Sequence, residues 1–254
     1  MNNLDPVLLN IGFLQIRWYG LLYALGVLFA YWYCRREIKA GRFKTSLDQF
    51  ETYFVWAVIS MVIGARLFEV FFYQPAYYLA NPLKIVAVWE GGLSFHGGVI
   101  GIALWTWYWC KRRTFPFLHL ADNLIVGGAL AQVFGRLGNW FNSELVGRAW
   151  NGPWSVIYAR IDEVPRHPVQ MYEIFYNLVI FGVLFALRKK QLTAGSLFAS
   201  FLVMYGVARF VVEYFKEPEV MWGFLTIGQW LSVAMVAIGV GLWFWVRKPV
   251  VSSH

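Results

Sequence analysis

The chain has 254 residues, of which 59% are hydrophobic, 20% aromatic and only 14% charged, with a formal net charge of +8. A charged share so far below the roughly 25% of a soluble domain excludes an ordinary soluble enzyme and points to a lipid bilayer. The positive charge gathers in alternate loops, so it reads as topogenic excess rather than a nucleic-acid surface, and no nucleic-acid partner is expected.

In chain order, residues 1–16 lack a basic n-region and a small-residue exit ahead of the first apolar run. No cleavable signal is expected, and that run should stay in the mature protein. Crossing a hydrocarbon core of roughly 30 Å takes about 20 helical residues. Seven stretches approach that length, at 17–34, 50–73, 93–110, 119–141, 169–187, 195–215 and 225–246, with 119–141 interrupted by Gly127, Gly128, Gly135 and Gly138. The expected fold is therefore an all-α polytopic membrane protein of about seven transmembrane helices, forming a single catalytic domain over 1–254 with a short periplasmic segment at about 142–168.

Orientation follows from the loops. Segments 35–49, 111–118, 188–194 and the C-terminal tail hold 13 Lys and Arg, whereas 1–16, 74–92, 142–168 and 216–224 hold 5. The basic set marks the cytoplasm, which predicts a periplasmic N-terminus and a cytoplasmic C-terminus. Cys34 and Cys110 then fall at cytoplasmic ends of spans, with a spacing that suits neither a disulfide framework nor a metal site, and they read as packing residues.

Ionisable groups inside a membrane are costly, so each marks a site until shown otherwise. With this topology Arg17, Tyr19, Tyr23, Arg66, Glu69, Ser94, His96, Arg136, Asn139, Asn142, Tyr205, Arg209 and Glu213 all fall toward the periplasmic side. A proton or ion path would spread such groups through the full depth of the bilayer. Several arginines at headgroup level suggest an anionic ligand, because guanidinium offers phosphate a fixed fork of donors, and a phospholipid headgroup is the nearest such anion.

Five motifs carry this reading. In 91–98, Gly-Gly-Leu-Ser-Phe-His-Gly-Gly, glycines could let a headgroup approach a helix N-terminus, with His96 suited to proton transfer; the alternative is a Ser94 helix cap beside an interfacial histidine. In 135–148, Gly-Arg-Leu-Gly-Asn-Trp-Phe-Asn-Ser-Glu-Leu-Val-Gly-Arg, more polar groups gather than a capped turn needs. Arg66 and Glu69, three apart, read as a structural ion pair. Arg209, four residues from both Tyr205 and Glu213, reads as a positioned anion clamp. The segment 165–173, with Arg166, His167, Gln170, Tyr172 and Glu173 between prolines and a span, fits a functional role and an entry turn equally well.

Five stretches of the sequence resemble, in order and over nearly the whole chain, those of the prolipoprotein diacylglyceryl transferase family. The matching stretches are Arg17-Trp-Tyr-Gly20, residues 94–98, residues 135–148, Arg166-His-Pro168 with Gln170 and Tyr172-Glu173, and Tyr205-Gly206 with Arg209 and Glu213. The resemblance implies a seven-helix enzyme of the bacterial inner membrane, its active site toward the periplasm, catalysing the first step of lipoprotein maturation. It moves the diacylglyceryl group of phosphatidylglycerol onto the lipobox cysteine of a preprolipoprotein signal peptide and releases glycerol phosphate. Neither a cofactor nor a metal is implied. His96, Arg136 and Arg209 would be catalytic, while Tyr19, Ser94, Asn139, Asn142, Glu144, Arg148, Tyr205 and Glu213 would bind the headgroup and shape the mouth of the site. Departures from the family pattern are Trp140 and Ser143 where phenylalanine and glycine are usual, Val169 for a small or hydroxyl residue, Glu69 for an aromatic and Lys216 for arginine. Rival readings are a lipid translocator, which the lack of an obvious internal repeat disfavours, and a lipid-binding scaffold, which leaves His96 unexplained.

Overall fold

The computed structural model describes residues 1–11, 14–190, 192–217 and 221–247; Lys248, counted above in the basic C-terminal tail, lies outside the described residues. A hairpin of β1 (Val7–Ile11) and β2 (Leu14–Arg17) leads into α1 (Trp18–Lys39), followed by α2 (Leu47–Phe68), a π-helical turn (Glu69–Tyr73), α3 (Pro75–Ala80), α4 (Phe95–Arg113) and α5 (Phe117–Asn142). Then come the short pair β3 (Val156–Ile157) and β4 (Pro165–Arg166), helices α6 (Val169–Leu187) and α7 (Ser196–Glu213), the pair β5 (Met221–Trp222) and β6 (Leu225–Thr226), and α8 (Ile227–Val246). All three strand pairs are antiparallel.

The long helices fall on the seven apolar stretches to within a few residues. Five of them, α2 with its π turn, α5, α6, α7 and α8, are long and apolar enough to cross a membrane. Helices α1 and α4 are as long but rich in Trp and Tyr, with basic last turns that depress their apolar character. Only 17% of the most apolar window of α8 is buried within the protein, so most of that helix presents hydrocarbon side chains outward, as a lipid-facing helix must.

Local chemistry sets the helix ends. Ser46 and Ser94 cap α2 and α4 by accepting from the Gln49 and Gly97 amides, and Thr226 forms a capping box with Gln229 at the start of α8. Asp122 of α5, buried, does the same across elements: its carboxylate accepts from the Gly195 and Phe198 amides at the start of α7 at 2.7 and 2.8 Å.

The chain forms two compact units, residues 37–120 and residues 1–36 with 121–254. In the smaller unit α2 packs on α4 through small residues. A methyl added to Gly101 would overlap the Ser60 carbonyl, one on Gly97 would overlap the Gly64 carbonyl, and one on Gly64 would come within 2.9 Å of the Gly101 Cα. Ser60 and Gly64, and Gly97 and Gly101, are each four apart, the small-residue pattern that lets membrane helices approach at backbone distance. Gly97 thus serves helix contact.

The smaller unit also revises the reading of Arg66. The guanidinium, buried, donates from Nε to the Ile85 carbonyl (2.9 Å), from Nη1 to Gly91 (2.6 Å) and Gly92 (2.8 Å), and from Nη2 to Ala87 (3.0 Å) and Lys84. Its role is structural, as expected, but it fastens the 84–92 connection instead of pairing with Glu69, whose Oε1 accepts from Gln74 Nε2 at 3.0 Å.

In the larger unit α6 packs on α7 and α7 on α8. The glycines expected to interrupt the fourth stretch do not break α5, which runs continuously for 26 residues. Two of them admit α1: Gly127 faces the Ala30 backbone and Gly138 the Tyr19 ring, whereas Gly128 and Gly135 face open space.

The segment 143–167 folds back over the ends of these helices. Ser143 and Leu145 both have positive φ, 56° and 54°, so the turn after α5 holds two side-chain-bearing residues in the left-handed region. Asn2, buried, clasps the segment by donating to the Trp140 carbonyl at 2.9 Å and by backbone bonds to Ile157 and Ala159. Arg166 pairs with Asp162 at 2.6 Å and with Glu217, and donates to the Gly147 carbonyl at 3.1 Å. That guanidinium holds the Asp162 carboxyl below the usual carboxylate range, while burial pushes His167, stacked on Trp150 at 4.3 Å, below the usual histidine value.

Three stability outcomes follow from this packing. Gly101→Ala should destabilise the protein by about 1–3 kcal/mol, because the added methyl meets backbone that can only move as a helix. Gly128→Ala should be neutral or slightly stabilising; equal midpoints for the two variants in detergent thermal unfolding would contradict the close packing. Ser143→Gly should stabilise by about 1 kcal/mol, because it relieves a left-handed residue and removes a buried hydroxyl that has no hydrogen-bond partner among the described residues. A lowered unfolding midpoint for that variant would show that the turn is not strained.

Candidate functional site

The C-terminal turns of α5 and α7 and the N-terminal turns of α6 and α8 carry one continuous polar chain inside the larger unit. It begins in the turn after α5, where the Glu144 amide bonds back to the Asn139 carbonyl at 2.9 Å and swings the Glu144 side chain over the helix end. The carboxylate accepts from Asn139 Nδ2 at 3.2 Å on one oxygen and from Asn142 Nδ2 at 3.1 Å on the other. Asn139 Oδ1 in turn accepts from Arg136 Nη1 at 3.2 Å, one helical turn back.

Arg136 Nε lies 3.0 Å from Glu173 Oε2 on α6, and Glu173 Oε1 lies 3.6 Å from Arg209 Nη1 on α7. Arg209 Nη2 is 3.6 Å from Glu213 Oε2, and Glu213 Oε1 accepts from the Thr226 hydroxyl that caps α8 at 3.1 Å. Four helices are thereby joined through alternating charge, with both guanidiniums largely buried. Tyr205 lies near Arg136, and its ring meets Tyr176 edge-on at 5.7 Å.

A second layer holds the first. Gln170, fully buried, donates from Nε2 to the Glu144 carbonyl at 2.6 Å and accepts from the Tyr158 hydroxyl at 2.7 Å. Burial raises the pKa of that tyrosine, so it remains a neutral donor. Arg148 Nε donates to the Lys216 carbonyl at 2.9 Å, tying the post-α5 segment to the end of α7. Tyr19 rests on Gly138, stacks with Tyr23 at 6.4 Å and feels the charges of Glu144 and Arg136.

Of the expected site residues, Tyr19, Arg136, Asn139, Asn142, Glu144, Tyr205, Arg209 and Glu213 thus gather in one network. Arg148 lies beside it, its side chain bonded to the Lys216 carbonyl. Ser94 and His96 belong to the smaller unit: the buried Ser94 hydroxyl accepts from the Gly97 amide at 3.4 Å, a capping bond, and the exposed His96 turns Nδ1 to the Tyr73 hydroxyl at 3.0 Å.

Glu173 and Gln170 are central to the geometry but were read only as part of an entry segment. Their signal was spacing: both sit in the first two turns of a span, three residues apart, where lipid would leave a carboxylate and an amide without partners. Tyr176, three further on, continues the same face.

Chemically, two fixed guanidiniums bordered by amides and tyrosine hydroxyls can seat a phosphate and stabilise negative charge that grows on it. Among the described residues, no three His, Cys, Asp or Glu side chains converge as a metal-holding group.

Comparison with known proteins agrees with this chemistry. A sequence model of the family described as prolipoprotein diacylglyceryl transferase matches residues 6–245. Relatives named phosphatidylglycerol–prolipoprotein diacylglyceryl transferase include one from Tolumonas auensis, 42% identical over 247 residues that cover 94% of this chain and 95% of that protein. Another, from Bordetella parapertussis, is 40% identical over 97% of both chains, and one from Geobacter sulfurreducens is 40% identical over 94% of both. The chain belongs to the prolipoprotein diacylglyceryl transferase family.

Proposed function

We propose that this protein transfers the diacylglyceryl group of phosphatidylglycerol to the thiol of the lipobox cysteine of preprolipoproteins, forming a thioether and releasing glycerol phosphate. The observation that carries the reading is the pair of largely buried arginines, Arg136 and Arg209, at one end of membrane-crossing helices, where a lipid phosphate is the anion at hand. In this reading all seven long helices span the bacterial inner membrane, with the N-terminus periplasmic, the C-terminus cytoplasmic and the site at the periplasmic face. The excess of Lys and Arg in the alternate loops supports it.

The reaction has two demands. A thiol with an ordinary pKa near 8.5 must lose its proton before it attacks, and the phosphate oxygen on which the C–O bond breaks must accept the electron pair. His96, bonded through Nδ1 to Tyr73, is the proposed proton acceptor. The sulfur then forms a C–S bond to the glycerol carbon as the C–O bond to phosphate breaks. Arg136 and Arg209 stabilise the leaving glycerol phosphate, with Asn139 and Tyr205 orienting Arg136 and with Glu213 holding Arg209. Glu144, Asn142, Arg148 and Tyr19 shape the mouth, and Ser94 sets the start of the helix that carries His96. The nucleophile comes from the substrate, in keeping with Cys34 and Cys110, both buried.

The test is glycerol phosphate release from phosphatidylglycerol by the purified protein with a lipobox peptide, against the same peptide with serine in place of cysteine. Release that needs the cysteine, with a peptide mass gain of one diacylglyceryl group, is expected; lipid binding with no release from either peptide would favour a translocator. His96→Gln should cut turnover by about 10²-fold or more, within the range for a lost general base, and leave phosphatidylglycerol affinity unchanged. Full turnover in that variant would remove His96 from the mechanism.

A further inference from the structure

Arg136 and Arg209 bring two positive charges in among apolar helices, and one side chain reaches both. Glu173 sits 3.0 Å from the first and 3.6 Å from the second, with its own side chain only 1% exposed. We propose that Glu173 is a positioning residue that serves as the resident counter-anion of this arginine pair. It fixes the spacing of the two guanidiniums between turnovers and yields them to the phosphate of the incoming lipid and of the departing glycerol phosphate. The inference rests on the transferase reading given above.

Three observations support it. First, the contacts are exchangeable. Among the described residues neither Glu173 oxygen has an aligned hydrogen bond, so the carboxylate is held to the guanidiniums by charge alone, and phosphate oxygens that fit the donor fork can displace it. Second, the backbone that carries the carboxylate is anchored. The Glu173 carbonyl accepts from Asn177 Nδ2 at 2.8 Å, and the turn before it is pinned by Gln170 to the Glu144 carbonyl and the Tyr158 hydroxyl. Third, each guanidinium faces a carboxylate without a ligand: Arg136 faces Glu173, and Arg209 faces Glu173 and Glu213, with Tyr19, Tyr176, Tyr205 and, through Asn139, Glu144 as the other ionisable neighbours.

A site carrying two uncompensated buried cations would bind substrate and product alike more tightly, and the product phosphate monoester carries more charge than the lipid diester. Uniform tightening of this kind lowers KM without raising kcat, and a tightly held product slows release. A fixed carboxylate between the arginines weakens both ground states while leaving the donors aimed where charge develops.

The test uses the full chain in detergent, with glycerol phosphate affinity measured by calorimetry alongside steady-state transfer. In Glu173→Gln, glycerol phosphate should bind about tenfold tighter than to wild type, the KM for phosphatidylglycerol should fall, and kcat should fall with it. Glu173→Asp, which keeps the charge but shortens its reach, should bind glycerol phosphate with an affinity between the two, and it carries the test alone if the glutamine variant does not fold. A merely structural glutamate would instead raise KM and weaken glycerol phosphate binding; weaker or unchanged product affinity in either folded variant overturns the proposal. Wild-type protein that binds glycerol phosphate but transfers nothing to the lipobox peptide would contradict the transferase reading and not this one.

Discussion

Burying a guanidinium among apolar helices costs several kcal/mol unless other groups replace its water, and the larger unit largely buries Arg136 and Arg209. Much else in the larger unit follows from that cost. Glu173 must lie between the two arginines, Asn139 must turn its amide oxygen to Arg136, and Glu213 must remain within reach of both Arg209 and the cap of α8. The helices are registered against one another by these charges as much as by hydrocarbon contact, because lipid chains are as apolar as the side chains they meet and supply little drive of their own.

Small residues and strained turns supply the rest of the positioning. Glycines let α1 approach α5 at Gly127 and Gly138, the second seating Tyr19 beside the network, and let α2 approach α4 at backbone distance where His96 begins its helix. The left-handed Ser143 and Leu145 flank Glu144 and reverse the chain sharply enough for its carboxylate to meet two asparagines of the helix just ended. Ser143 holds this turn at a steric cost that glycine would not incur.

The helical architecture was legible from apolar length alone, because each long stretch is bounded by charge, proline or glycine. The helix residues that gather into the polar network were legible for the same reason: a polar group such as Arg136 or Glu213 stands out against hydrocarbon. The errors arose where one residue type serves two purposes. Glycines of the fourth stretch read as interruptions because glycine weakens isolated helices, yet α5 is continuous and two of them, Gly127 and Gly138, open a face to α1. Arg66 with Glu69 read as an ion pair from i,i+3 spacing, but a guanidinium can equally satisfy a cluster of loop carbonyls, and the 84–92 connection offered five. Glu173 was seen but not singled out, because its partners lie 37 and 36 residues away on other helices and no local spacing announces them.

The central claim, that Arg136 and Arg209 act as one anion clamp joined through Glu173, is tested most directly by a double-mutant cycle on transfer, using Arg136→Gln, Arg209→Gln and the pair. Groups that work as a unit give grossly non-additive losses. The account predicts that either single change removes nearly as much kcat/KM as the two together. Losses that simply add in free energy, with the double variant falling by the product of the single factors, would mean that the two arginines act independently and that the shared carboxylate does not couple them.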